Sequence, residues 1–339
     1  MTNYKSNNSV LNNYTPVFIL GMPRSGTTWI SKCFNEHPET IACGESAFFG
    51  KNYIFPKPDG LYHFQQIDLI RDNLLSMGNA FLGNKAGCYK YIKTKKHLYQ
   101  TCNAVLEQVK FPIHPAELFA FLSLKIAETE GKKNAIEKTP HHINYIHRIN
   151  QLFSENCKFI ILIRNPYDFM ASSKNQGKQY NEKARKNFKK LYHPLINSFI
   201  YRSYALSVIE ALNKYPESTL LIRNENMQAS PEANLKEAQL FSNLNYYYGL
   251  SQVIPLNTNS SFSSSATKNS PLNDEDIFWM NLVAGNAIKK LNYHLEESKP
   301  SIMKITKSSI NLPAKALMGF KTINKQANSP LRHILSWLK

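Results

Sequence analysis

The stretch with the most evident chemistry is Gly21-x4-Gly26-Thr27-Thr28, which follows the apolar run Val17-Phe18-Ile19-Leu20. A glycine before a helix lets the backbone approach an oxyanion. Amides at the helix start then point at that anion, and the threonine hydroxyls add donors. A Walker A loop requires Lys where Thr27 stands; here the cation is Arg24, inside the loop. Other apolar runs also end in cations, at Lys138, Arg164 and Arg223. A nucleotide hydrolase wants a magnesium-holding Asp at such an end. Cations there imply that the protein itself neutralises phosphates, with no metal required.

The elements that must position these residues are legible as patterns. Val17–Leu20, Ala135-Ile136, Lys158–Arg164 and Thr219–Ile222 read as buried strands. Between them lie helical spacings. One starts at Thr27, with Trp29, Ile30, Cys33 and Phe34 on one face, and stops near His37-Pro38. Others run from Ala116 to Glu130, from His142 to Phe153, and from Phe188 to Leu212. Asn165-Pro166 is an N-cap followed by an N1 proline, Ser230-Pro231 opens a further helix, and Asn273 caps a last one behind Asp274, Glu275 and Asp276. Residues 50–110 mix aromatics, Pro, Gly and Lys and are expected to cover the sheet. Alternating strands and helices predict an α/β fold, a P-loop-like parallel sheet flanked by helices on both faces, with ligands at the carboxyl ends of the strands.

Composition narrows the class. The chain has 339 residues, 42 % of them hydrophobic, which excludes global disorder. Lys and Arg number 41 against 24 Asp and Glu, a formal net charge of +17. That balance points to an anionic partner. No acid follows Glu297, and the eight cations beyond it supply +8 of the total. Apolar residues such as Ile302, Ile305, Phe320 and Trp337 are mixed with those cations, a pattern that suits either a basic segment on anionic lipid or a tail packed on the parent domain. The division expected is a lead-in over 1–15, one domain over 16–297 and a basic tail over 298–339. Five cysteines with no CxxC pair argue against a zinc ribbon or a disulfide scaffold. No run of 18 apolar residues and no apolar leader core occur, so a cytoplasmic, reducing location, with peripheral membrane contact through the tail, is the expectation.

Three stretches in order resemble the PAPS-dependent sulfotransferases. Val17–Trp29 is similar to their 5′-phosphosulfate loop. Lys158–Ser172, KFIILIRNPYDFMAS, is similar to their 3′-phosphate strand and helix, where an Arg is followed eight residues later by a Ser. Leu220–Leu244 resembles the strand that ends in an RYEDL-like box, although Arg223-Asn224-Glu225-Asn226-Met227 lacks the Tyr and the Asp. Pro-Arg-Ser-Gly-Thr-Thr is nearest to the broad group of carbohydrate, tyrosyl-protein and bacterial enzymes; cytosolic ones usually place Lys at the position of Arg24.

The resemblance implies in-line transfer of a sulfuryl group from PAPS to a hydroxyl or amine, releasing PAP. It assigns Arg24, Ser25, Gly26, Thr27 and Thr28 to the 5′-phosphosulfate, and Arg164 and Ser172 to the 3′-phosphate, with Lys268 a further candidate there. Trp29 either stacks on adenine or packs in the core. Lys138, in Glu137-Lys138-Thr139-Pro140, is assigned to the leaving phosphate. The general base is Glu45 by likeness to tyrosyl-protein enzymes, with His141 the rival. Carbohydrate, lipid, peptide tyrosine and small metabolite all stay open as acceptors. Phe48, Phe49, Tyr53 and Phe55 either line the acceptor pocket or belong to the core. Two other readings compete: a P-loop kinase or NTPase, which the missing Walker lysine opposes, and a polyanion binder without catalysis. Dispersed lysines with no RNA-binding or zinc-finger signature weigh against nucleic acid.

Overall fold

A computed structural model describes residues 10–76, 89–175, 192–253 and 272–301, and the positions 303, 305, 306 and 310. Lys268, residues 176–191 and most of the 298–339 tail lie outside the described residues.

Five strands form one all-parallel sheet in the order β2-β3-β1-β4-β5. They are β1 (Val17–Gly21), β2 (Thr40–Cys43), β3 (Asn134–Lys138), β4 (Lys158–Ile163) and β5 (Thr219–Arg223). The central β1 sends its chain to one side, through α1 (Thr27–Asn35) to edge strand β2, while β4 and β5 lie on the other side. The loops after β1 and β4 therefore diverge at a topological switch point, where parallel sheets open a crevice for ligands.

Alternate strand residues feed two cores. Phe18, Leu20, Phe159, Ile161 and Ile163 pack on one face with α4 (Pro115–Thr129), α7 (Pro194–Lys214) and α10 (Asp274–Lys290). Val17, Ile19, Ile160, Leu162 and Ile222 pack on the other with α1, α8 (Asn224–Ala229) and α9 (Pro231–Phe241). Burial on both faces explains why β1 and β4 read as continuous apolar runs. Helices α2 (Ile67–Ser76) and α3 (Lys95–Gln108) pack on each other, and α3 packs on α4, so residues 50–110 add to the cover as expected.

Three features depart from the sequence patterns, the first being that the helix expected from Phe188 starts only at Pro194, with Tyr192 and His193 outside it. Strand β2 has only four residues and falls in a segment without a strand signature. The segment from His142 to Phe153 is not one helix: Pro140–Tyr145 winds as a 3-10 turn and α5 (Ile146–Leu152) follows it. The caps hold as expected. Asn165 Oδ1 accepts the amides of Tyr167 and Asp168 at the start of α6 (Pro166–Lys174). Asn273 and Asp276 form a reciprocal capping box on α10. Asp276 also accepts hydrogen bonds from Lys174 Nζ and the Tyr192 hydroxyl, each at 2.6 Å, which ties the end of α6 to the start of α10.

Candidate active site

The loop after β1 turns on two glycines. Gly21 has φ +140°, and a Cβ there would stand 2.1 Å from the Leu162 carbonyl oxygen of neighbouring β4. Gly26 has φ +94°, and a Cβ there would stand 2.7 Å from Asn224 Nδ2. L side chains rarely adopt either conformation. At the start of α1 the amides of Trp29 and Ile30 turn back to the Gly26 carbonyl, at 2.8 and 3.1 Å. The amides of Thr27 and Thr28 precede them, at the positive end of the helix dipole.

Arg24 is itself at φ +67°. Its Nε donates to Ser172 Oγ on α6 at 2.9 Å, and its carbonyl accepts from Arg164 Nη1 at 3.0 Å. The two phosphate signatures thus meet directly: Arg24 from the first loop touches both Arg164 and Ser172 from the second. Arg164 and Ser172 are each only 4 % exposed. Burial lowers the Arg164 pKa, against the opposing pull of Asp168, Glu225 and Tyr293; a guanidinium nonetheless stays charged. A guanidinium fixed in this way at the carboxyl end of a strand has the donor geometry to ligate an anion.

Ser25 is fully buried, and its hydroxyl donates to the Met22 carbonyl at 2.6 Å. Trp29 lies in the core with Ile30, Cys33 and Phe34, and its indole N–H donates to the Val253 carbonyl at 3.0 Å, which favours the packing alternative. Arg223 does not join the phosphate loop. Its guanidinium donates to the Leu291 carbonyl at 2.7 Å and lies over the Tyr293 ring. The expectation that every cationic strand end faces a phosphate fails there, because this arginine tethers the end of α10.

Asn224, just after it, is the residue that the sequence patterns missed. Its Nδ2 donates to the Ser25 carbonyl at 2.9 Å, and its Oδ1 accepts from Gln228 Nε2 at 2.5 Å. It therefore clamps the phosphate-loop peptide from the side of Gly26. The available signal was the departure of the box itself, Asn where the resembled motif has Tyr. Glu225 accepts from the Asn165 amide at 2.7 Å and the Tyr293 hydroxyl at 3.1 Å, joining this box to the start of α6.

A second cluster stands at the ends of β2 and β3. Lys138 is 7 % exposed, and its Nζ donates to Glu45 Oε1 at 3.1 Å. The Glu45 side chain is 46 % exposed and that of Lys138 9 %, so the carboxylate is the more open member of the pair. Next to Lys138 in sequence, the buried Glu137 carboxylate accepts from Ser46 N (3.2 Å), Ser46 Oγ (2.5 Å), Thr139 Oγ1 (2.5 Å) and His142 Nδ1 (3.0 Å). Its pKa lies below the ordinary value: burial pushes it up, and His142, Ser46 and Thr139 pull it down by more.

His141 Nδ1 lies 2.9 Å from the Tyr204 hydroxyl and 3.3 Å from Asn144 Nδ2. The Asn144 amide is oriented by Ser207 Oγ, which donates to its Oδ1 at 2.9 Å. Burial raises the Tyr204 pKa and keeps it a protonated donor. The Tyr204 hydroxyl and the Asn144 amide thus both face Nδ1 of His141.

Phe48 and Phe49 are core residues, packed on Phe119 and on each other. Tyr53 and Phe55 flank the Arg148 guanidinium, whose Nη1 donates to the Phe49 carbonyl at 2.9 Å. The thiols of Cys33, Cys102 and Cys157 are buried, and burial pushes each up to about 12, so none is a nucleophile.

No curated protein sequence matches the chain significantly. Among solved structures it is similar to the sulfotransferase domain of the olefin synthase of Synechococcus PCC 7002, with TM-score 0.52 and 16 % identity over 84 % of this chain and 98 % of that one. The sulfotransferase domain from the curacin biosynthetic pathway follows at TM-score 0.48 and 15 % identity, over 83 % and 99 %. A mouse sulfotransferase, SULT7A1, solved in complex with PAP, gives 0.36 and 16 %, over 91 % and 85 %. Residues 16–246, which hold the phosphate loop, the β3 and β4 ends and the Asn224 clamp, match the model of the sulfotransferase family, and the chain belongs to that family.

Proposed function

We propose that this sulfotransferase uses PAPS as donor and a hydroxyl or amine as acceptor. The observation that carries the reading is the Arg24–Ser172–Arg164 junction beside the Thr27 and Thr28 amides. It collects two guanidinium groups, a hydroxyl and a helix start at one crevice. That donor set fits a nucleotide with two separate anionic groups. Bound there, PAPS supplies an activated sulfuryl group and a phosphate leaving group.

Each residue then has one task. Arg24, the Ser25–Gly26 peptide and the start of α1 hold the 5′ end. Arg164 and Ser172 hold the 3′-phosphate. Lys138 donates to the bridging oxygen as negative charge develops on it. Glu45 takes the acceptor proton while the new bond to sulfur forms and the bond to the phosphate oxygen breaks. The 3.1 Å contact between Lys138 and Glu45 places both groups at one site, where each can serve one of the two oxygens that flank the sulfur in line. His141 is the weaker candidate, because its Nδ1 is already engaged with Tyr204 and Asn144 while Glu45 is open to solvent.

Two measurements test the reading. Saturating PAP is expected to raise the melting temperature, as any ligand specific to the folded state does; no shift would overturn the nucleotide assignment. Incubating the protein with radiolabelled PAPS and fractionated cell extract is expected to label one chemical fraction and so identify the acceptor.

A further inference from the structure

We propose that Glu137 is a positioning residue for the transfer step, a buried carboxylate that holds the Glu45 turn against Lys138. The proposal rests on the roles given above to Glu45 and Lys138.

Ser46 Oγ accepts the Phe48 amide at 3.2 Å, Thr139 Oγ1 accepts the Ala47 amide at 3.1 Å, and His142 Nε2 accepts the Phe49 amide at 3.2 Å. Three consecutive amides are thus each taken up by a side chain. Each of those side chains has one hydrogen left, and each passes it to Glu137. A histidine nitrogen that accepts an amide hydrogen carries no proton, so His142 is the neutral Nδ1–H tautomer. Ser46 N and His142 Nδ1 can only donate, one to each Glu137 oxygen, and the two hydroxyls complete the shell of an ionised carboxylate.

What this hub holds is strained. Ala47 lies at φ +50°, where a residue with a Cβ pays for its conformation, and its carbonyl accepts from Gly50 and Asn52. The turn begins one residue after Glu45, and Glu137 precedes Lys138, so one carboxylate fixes the backbone next to both reacting side chains. From the other side, the Tyr89 hydroxyl receives the Gly44 amide at 2.8 Å. No atom of Glu137 needs to reach the sulfuryl group; its effect passes through the turn and the strand end.

Glu137→Gln keeps the shape but replaces an acceptor oxygen with a donor. PAP affinity, measured by calorimetry, is expected to stay within about twofold, while kcat, followed as PAP release in the presence of the labelled acceptor fraction, falls roughly 100-fold with little change in the KM for PAPS. Glu137→Asp is expected to restore part of kcat. The His142 Nδ1 proton should resonate far downfield in the wild type and move upfield in Glu137→Gln. A variant that loses this resonance and keeps wild-type kcat would overturn the proposal. Should Glu137→Gln fail to fold, Ser46→Ala and Thr139→Val each remove one arm and are expected to lower kcat about 3- to 10-fold; unchanged kcat in both also overturns it. Wild-type protein that does not bind PAP marks instead the failure of the nucleotide reading.

Discussion

Around Gly26 the loop is held mainly through its carbonyls: an asparagine amide on Ser25, a serine hydroxyl on Met22 and the Arg164 guanidinium on Arg24, with the missing Cβ of Gly26 making room. Around Ala47 the loop is held by a buried charge, the Glu137 carboxylate, through three intermediary side chains. Both turns contain a residue at positive φ that is not glycine, Arg24 in the first and Ala47 in the second. The difference follows from what each loop must leave available. A loop that receives an anion has to keep its amides and guanidinium groups for the ligand, so its scaffold works mainly on carbonyls. A loop that presents a base has no use for its own amides, and those of Ser46 to Phe49 all go to the scaffold. Beside this second loop a carboxylate gathers the donors and leaves Glu45 as the carboxylate facing solvent.

The sharpest way to break this contrast is at the base. Glu45→Gln is expected to lower kcat by about 10²- to 10⁴-fold with PAP affinity unchanged, while His141→Ala changes kcat far less. Near-normal turnover of Glu45→Gln would move the base elsewhere and leave the second loop without its purpose. Next in size, Arg24→Ala removes a charged ligand from the first loop and is expected to weaken PAP binding roughly 10- to 100-fold in a titration. An effect on kcat alone would place Arg24 with the transfer machinery instead.

Asn224→Ala leaves the Ser25 carbonyl without its donor. It is expected to cost about 1–3 kcal/mol of stability in denaturant unfolding and to weaken PAP, with no effect on the His142 resonance. The smallest effect concerns pH. The folded Glu137 pKa is depressed, so the stability it contributes is complete above about pH 4.5 and is lost as pH falls through the lower folded value. The melting-temperature gap between wild type and Glu137→Gln should therefore be flat near neutrality and close on acidification. The Asn224→Ala gap should not follow pH, because an amide does not titrate there.

Much of the frame was legible in the residues. Runs such as Lys158–Ile163 and caps such as Asn165 and Asn273 carry their structure locally, and they appear where the patterns predict. Strand β2 was not legible, because TIAC is too short to show a period and gains its identity only from pairing with β3. His142 was misread as part of a long amphipathic helix. Its ring is turned inward to Glu137 from a 3-10 turn, a bond to a group on β3 that helical spacing does not register. Arg223 was grouped with the phosphate cations because it ends a strand, whereas its guanidinium is tied to Leu291 and Tyr293.

By itself the sequence determined the class of protein: a glycine-bounded loop after an apolar run, a strand ending in Arg with Ser eight residues on, and Glu-Lys-Thr-Pro between them. Those signals are local, since a turn, a cap or a buried strand depends on neighbours a few residues away. Tertiary structure alone decided how the site is braced. Asn224 meets Ser25, Arg24 meets Ser172, and Ser46 meets Glu137 across long stretches of chain. A buried polar group must find its partner wherever the fold supplies one, and only the packed sheet brings those positions within a hydrogen bond.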